Sequence, residues 1–486
     1  MGSTTASVFS NIPFLILCLY IGALFIISAY ASRLAKGSAS AFLLAGRKMT
    51  TPLIAVSVAG LAVGAASTVG VAESAYNNGL SAGWYNGAWA AGALAMGLVA
   101  AEKYRRLNVS SLPELFERYF GKTSRLISAV AILIVLMMIA SLQYLAGGAI
   151  LSTLLPEFFS FKSGMMVSAV VFIGIALIGG LWSSGLSNIL SVALIYFGII
   201  AATILAVTNA GGFSNIAAQL PPGDHWFSLQ GTLPLATLIG WFVVMMTQAI
   251  SGQGTVQIAC SAKDTATAKK GYIWGAALIF PIGFFCAVLG IVAKVQFPDL
   301  MPTLALPHII MSLPPLIAGI VLSALWAADV STACTILMGS STLFTRDIYH
   351  NMLAPQASEQ RLNLISRLSV AIIGAFTLFL AFQASEIVKT MMIGLSLTTA
   401  FTLVFLMLMF KPQWCRKSSA IWTTAVGIIG LAAWQFIPAV PEFFKTTLPF
   451  INHPIYLEWI LCSVTFFLVA LLDKRRITVP PLPQEA

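Results

Sequence analysis

Charge is what this sequence has least of. Asp, Glu, Lys and Arg make up 9% of its 486 residues, against about 25% in a soluble globular chain, which excludes a soluble enzyme and a disordered chain. Between Ser163 and Gly223 there is none of the four, room for two bilayer crossings at about 20 residues each. Histidine is scarce too: His225, His308, His350 and His453 all lie outside the deep parts of the apolar runs, which excludes a histidine proton relay. The six cysteines (Cys18, Cys260, Cys286, Cys334, Cys415 and Cys462) form no pair with disulfide or zinc-ligand spacing, so neither a disulfide framework nor a transition-metal site is expected. A His-Glu-x-x-His motif and a Walker loop are missing, so the chain reads as a non-enzyme with no organic cofactor and no direct use of ATP. Met1 to Ser10 carries no basic run, so the first apolar stretch is not a cleaved signal peptide.

What the sequence has is hydrophobicity, 58% of residues with a mean hydropathy of +0.91. It divides into about thirteen apolar crossings, at 12–33, 51–79, 81–104, 124–155, 163–182, 185–209, 232–258, 271–295, 313–345, 364–384, 387–410, 418–440 and 455–473. The expectation is a single all-α polytopic membrane domain over residues 1–486. Lysine and arginine set its orientation. With the N-terminus outside and the C-terminus in the cytoplasm, 22 of the 26 fall on the inner side, leaving Lys162, Lys294, Lys389 and Lys445 outside. The excess of +10 in formal charge is thus assigned to inner loops and not to nucleic-acid binding. Ser111 to Phe120 opens with Ser and Pro and alternates apolar with charged positions, which predicts a cytoplasmic helix lying on the membrane. His308 to Leu313 reads as its outer counterpart. Asn108-Val-Ser110 has the glycosylation spacing but falls on the inner side.

Two crossings are interrupted by small and polar residues: Gly60-Leu-Ala-Val-Gly64-Ala-Ala-Ser67-Thr68 and Thr247-Gln248-Ala-Ile-Ser251-Gly252-Gln253-Gly254. A broken helix is tolerated in the bilayer where its backbone lines a cavity, and equivalent breaks in two halves point to a midplane site in an inverted-repeat transporter. The competing reading is close helix packing through Gly60-x-x-x-Gly64; the spacing of five crossings between the breaks favours transport. A third segment, Ala327-Ala-Asp-Val-Ser-Thr332, supplies the Ser331 and Thr332 hydroxyls and an Ala328 carbonyl on one face, although such hydroxyls often bond back to their own helix.

At this point the sequence resembles the sodium:solute symporter family. The matching stretches are Leu44-Ala-Gly-Arg-Lys-Met49, Tyr76-Asn-Asn-Gly-Leu80, Leu112-Pro-Glu-Leu115, Gln143-Tyr-Leu-Ala-Gly-Gly148, Gly179-Gly-Leu-Trp182, Gln257-Ile-Ala-Cys-Ser-Ala-Lys-Asp264, Leu313-Pro-Pro315, Ala328 to Thr332 and Thr345-Arg-Asp-Ile-Tyr349. The resemblance implies a LeuT-type five-plus-five inverted repeat, with 51–209 the first repeat and 232–410 the second. One additional helix precedes them at 12–33 and two follow at 418–473. It implies a sodium site made by the carbonyls of Gly60, Val63 and Ala328 and the hydroxyls of Ser331 and Thr332. It also implies a central cavity lined by Ser67, Asn86, Gln143 and Gln253, with Trp84 and Trp89 as walls or gates.

The sequence departs from the family pattern where an Asp followed three residues later by Gln is common; Asn188 and Ser191 stand there. In some members that Asp helps bind a second sodium with the positions of Cys334 and Thr335, so one sodium per cycle is expected. The family's Arg after Gln257 is Ile258. Asp329 departs in the other direction. A charge at the bilayer centre costs about 2.5–3.5 kcal/mol on insertion scales, so it is expected to face the protein interior, where it supplies ion or proton coupling charge that Asn188 no longer brings; the alternative is a neutral acid hydrogen-bonded in the core. Glu73 reads as the other intramembrane acid, near the outer end of its helix and reaching water at the mouth. The functional expectation is sodium-coupled symport of a small organic solute by alternating access, in a bacterial inner membrane and with no obligatory protein partner. Its rivals are a proton-coupled symporter of the same fold using Asp329 or Glu73, and a sensor or channel that does not concentrate its ligand.

Overall fold

The computed structural model describes residues 12–34, 45–107, 109, 111–177, 181–223, 225–383, 386–448, 450–451 and 453–478. Leu44, Lys36, the sequon residues Asn108 and Ser110, Gly179 and Gly180 lie outside the described residues, as do the side chains of Arg33, Trp182 and Ser331. The described residues form helices and no strand; two isolated bridges join Met49 to Ala262 and Arg416 to Arg476.

Among the described residues, seven helices are long and apolar enough to cross a bilayer, or ten when each of three bent pairs counts as one span. The thirteen expected crossings are not reached on that measure. Phe161–Ala176, for one, has 16 residues, fewer than the roughly 20 a perpendicular crossing needs.

Thr265–Gln296 is the helix against which residues 51–107 pack. Asp264 caps it by accepting the Thr267 N–H at 2.7 Å, and that hydrogen bond holds the Asp264 carboxyl below its ordinary range. A stripe of glycines runs along it. A Cβ on Gly271 would meet Ile54, one on Gly275 would meet Val58, and one on Gly290 would lie 2.4 Å from the Ala72 carbonyl. Small residues let backbones approach where lipid gives helices no hydrophobic reason to associate. Through this stripe the helix fixes Thr51–Ala62 and Val69–Asn78, the two halves of the first bent span.

The short helix Leu112–Phe120 forms where Ser111 and Pro113 predict it, with Ser111 Oγ accepting the Glu114 N–H at 3.2 Å. Its apolar face does not lie on the membrane. Leu115 and Phe116 are fully buried, and the Phe116 ring packs against Phe401 with centroids 6.3 Å apart. Arg125 at the start of Lys122–Leu154 holds it in place through Glu117 while also pairing with Asp347.

Gly79-Leu-Ser81-Ala-Gly83 has the spacing of a hydrolase nucleophile elbow, but no such site forms. Ser81 Oγ donates to the Asn78 carbonyl at 3.0 Å, and the segment is a turn between helices.

The stripe yields a prediction. Gly290→Ala forces a methyl onto the Ala72 carbonyl, where overpacking typically costs about 1–3 kcal/mol; the purified protein should melt at a lower temperature. Gly174→Ala, a helical glycine with nothing within 4 Å of an added Cβ, should leave the melting temperature unchanged or raise it slightly.

Candidate functional site

The bends define the site. They measure 76° between Thr51–Ala62 and Ala65–Leu107, 49° between Leu235–Ser251 and Gln253–Ser261, and 44° between Ile387–Ser396 and Thr399–Phe410. The first two are the breaks read from the sequence; the third was not foreseen.

At the first, the helix ladder ends as the Val63 N–H reaches the Ala59 carbonyl at 2.7 Å. Gly64 is then extended, at φ −122° and ψ −156°. Side chains take over from the missing ladder: Ser67 Oγ donates to the Ala62 carbonyl, and Thr68 Oγ1 donates to the Gly64 carbonyl at 3.0 Å. On the far side of the break the Ala65 N–H points to Gln143 Oε1 at 3.5 Å and to the Asp329 carboxylate.

Asp329 is 1% exposed, and its Oδ2 has no hydrogen-bond partner. One turn on, Thr332 Oγ1 is also buried and without a partner. A Cβ built on Gly64 would sit 3.4 Å from both Thr332 Oγ1 and Gln143 Oε1, so these two side chains flank the break. Ala328 lies buried on the same helix. The Asn188 amide rests directly on Gly60, with Cγ 2.5 Å from where a Cβ would be. Of the positions paired with it in the sequence, Thr335 borders the cavity described next, whereas Cys334 Sγ lies 3.2 Å from the Phe172 carbonyl.

The second and third bends are bonded to each other. Ser251 Oγ donates to the Thr398 carbonyl at 3.1 Å and pairs with Thr402 Oγ1 at 2.7 Å; Thr402 Oγ1 also lies 2.7 Å from the Thr247 carbonyl.

A cavity lies between all three. It offers about 70 Å³ to the centre of a water molecule, where one water needs about 10–15 Å³. Its wall includes Gly64, Gln143, Gln248, Gln253, Trp89 and Thr332. From the breaks it follows Ile132, Ile336 and Gly339 toward the end of the bundle that carries Lys122, Lys263 and Arg346.

Of the expected cavity side chains, Gln143 and Gln253 border it, and Gln253 Oε1 also accepts the Leu112 N–H at 3.3 Å. Ser67 and Asn86 do not. The Ser67 hydroxyl is committed to the break, and Asn86 is fully buried against Ile279 and Gly283 on the central helix. Trp89 lies on the wall, while Trp84 donates to the Leu229 carbonyl at 2.8 Å and packs among Phe242, Phe280 and Phe284. Gln248, whose buried Oε1 has no partner, was not singled out from the sequence, although its place within the second break was the available signal.

Glu73 does not reach water. It is 6% exposed and accepts from Thr303 Oγ1 and from the Ile387 N–H. Nor is it the only other buried acid. Glu458, inside Pro454–Leu472, is fully buried between Gly427 and Gly430 of the neighbouring helix.

Known proteins resemble this arrangement. The model of the sodium:solute symporter family matches residues 42–427. The sodium/glucose cotransporter of Vibrio parahaemolyticus is 26% identical, with 75% of this chain and 73% of that protein covered. The sodium/pantothenate symporter of Escherichia coli K12 is 26% identical over 76% of this chain and 79% of that protein. Among solved structures, a substrate-bound, outward-open sodium-coupled sialic acid symporter superposes with a TM-score of 0.76 at 20% identity, covering 96% of this chain and 98% of that one. A transporter of the nucleobase-cation-symport-1 family gives 0.60 at 12% identity, with 89% and 94% covered. The fold is therefore the LeuT type.

The packing of Asn188 on Gly60 can be tested directly. Gly60→Ala should lose about 1–3 kcal/mol of stability, read as a lower melting temperature, and Asn188→Ala in the same chain should restore a large part of it. If the double variant is no more stable than Gly60→Ala, the contact does not set the need for glycine.

Proposed function

The chain belongs to the sodium:solute symporter family, and from that membership we propose that it couples sodium entry to uptake of a small organic solute. It is an integral membrane protein. In this reading it sits in a bacterial inner membrane with the N-terminus outside and the C-terminus inside, and 51–209 and 232–410 are its two inverted repeats.

The observation that carries the proposal is the pair of buried, unpartnered oxygens beside the first break, Thr332 Oγ1 and Asp329 Oδ2. A polar oxygen left alone in a buried site costs about 1–3 kcal/mol, more for a charged one. A small cation removes that cost for both. In transporters of this architecture, unwound backbone carbonyls and half-helix C-terminal ends coordinate the ion. Thr51–Ala62 ends at such a place, so the proposed sodium ligands are the carbonyls of Gly60, Val63 and Ala328 with the hydroxyls of Ser331 and Thr332. Asp329 adds the negative charge that the neutral Asn188 does not.

For the solute, Gln143, Gln248 and Gln253 bring both donors and acceptors to the cavity wall, and Trp89 brings an apolar surface. This set suits a compact solute carrying hydroxyl, amide or carboxylate groups. Ser67 and Asn86 act behind the wall, holding the break and its supporting helix in place.

Binding to the native state raises stability by RT ln(1 + [L]/Kd), about 2.7 kcal/mol at a hundredfold excess over Kd. Purified protein screened against a solute library should therefore melt higher with its substrate in sodium chloride than in choline chloride at the same pH. A solute that stabilises equally in both salts would overturn sodium coupling. Thr332→Ala and Asp329→Asn should each raise the half-saturating sodium concentration about tenfold or more, which corresponds to 1.4 kcal/mol. Unchanged sodium titrations in both variants would remove them from the site.

A further inference from the structure

Ile387–Ser396 starts with Ile387 fully buried beside an exposed Glu386, and a helix start exposes N–H groups that have no partner of their own. Its own capping residue does not serve: Glu386 makes no side-chain cap bond and pairs with Lys389 at 3.7 Å. The acceptor comes from another helix. Glu73 Oε2 takes the Ile387 N–H at 3.0 Å, while Oε1 takes the hydroxyl of Thr303, in the short turn before Ala305–Met311. Both carboxylate oxygens are thereby used on two separate elements.

The surrounding contacts are equally close. Gly70, one turn before Glu73, lets the two helices touch: a Cβ there would lie 2.8 Å from Ile387 Cγ2 and 3.2 Å from Val388 Cγ2. One turn after it, the Tyr76 hydroxyl bonds to the Phe297 carbonyl and accepts the Leu300 N–H. The outer half of the first bent span is thus fastened to both the 297–304 loop and the start of the third bent span. The cavity runs the other way, toward the arginine- and lysine-rich end.

We propose that Glu73 is a positioning residue that latches shut the path on the lysine-poor side, holding Val69–Asn78, the Thr303 turn and Ile387–Ser396 together while the cavity faces the opposite end. Opening that path separates these elements, so the two hydrogen bonds of Glu73 form in one state and break in the other. The inference rests on the alternating-access reading above. It also makes the latch a competitor of sodium: if sodium favours the outward-open form, the latched state holds back binding, since apparent affinity scales with the population of the competent state.

Loosening the latch should therefore tighten apparent sodium binding, a gain that mere structural damage does not produce. Glu73→Gln keeps one acceptor oxygen and exchanges the other for a donor; Thr303→Val removes one arm without touching the helix. In both, the sodium concentration that half-saturates thermal stabilisation should fall about threefold or more, and amide exchange across 387–396 should quicken without sodium. The two effects should not add in the double variant, because both break one junction. A lower melting temperature with unchanged sodium titration and unchanged exchange would reduce Glu73 to packing and overturn the proposal. If the parent protein ignores sodium altogether, the symport reading fails, while exchange across 387–396 still decides whether Glu73 holds that segment.

Discussion

Every bend in this molecule answers to one constraint: inside a bilayer, a backbone N–H or C=O that leaves the helix ladder must find a partner within the protein. The first break meets it with hydroxyls four and five residues along the chain, Thr68 to Gly64 and Ser67 to Ala62. The second and third meet it jointly, through Ser251 and Thr402 on each other's backbone. What is left over after these repairs is informative. Among the unsatisfied groups that remain beside the first break are two oxygens, the Thr332 hydroxyl and Asp329 Oδ2, and oxygens with unused lone pairs are what a cation requires.

Three of the buried acids show how differently the same cost is met. Glu73 has both oxygens occupied by donors from separate elements, so its burial fastens structure. Asp329 has one oxygen on the Ala65 N–H and the other unpartnered, an arrangement that leaves a valence for something mobile. Glu458 sits in a notch made by Gly427 and Gly430 with a cysteine thiol, Cys462 Sγ, 3.8 Å from one oxygen. A membrane acid is costly wherever it lies; which of its oxygens is paired separates fastening from binding.

The fold was legible wherever composition changes sharply along the chain. Long apolar runs mark helices, and glycines crowded with hydroxyls at 60–68 and 247–254 mark two breaks, because few other residues relieve a helix there. The third bend escaped notice since Ser396-Leu-Thr398-Thr399 contains no glycine, and hydroxyl residues are equally at home inside a regular helix. The amphipathic pattern of 112–120 correctly signalled a helix but could not say whether protein or lipid would cover its apolar face. Ser67 and Asn86 were polar residues in the right span, yet a one-dimensional pattern does not reveal that a freed carbonyl or a neighbouring helix has already engaged them. Glu458 lay near the start of its apolar run, where a charge reads as an interface residue. Only packing against Gly427 and Gly430 shows that it is fully enclosed.

The bonds of the site also differ in what motion they permit. The two hydroxyl bonds within the first break join residues four or five apart, so they are local to the bend and tie it to no other span. Those on Ile387–Ser396 do not have that freedom. The segment is tied at its start to Glu73 on the first bent span, and the turn at its end is tied through the Thr398 carbonyl to Ser251 on the second. A ten-residue helix is stiff, about 15 Å long at 1.5 Å per residue, and cannot shift at one end without moving the other. The two bent spans that frame the cavity are thus linked by a rigid strut, jointed at its start through Glu73 and at its end through Ser251. Because the strut is rigid, a change at one joint alters the geometry at the other.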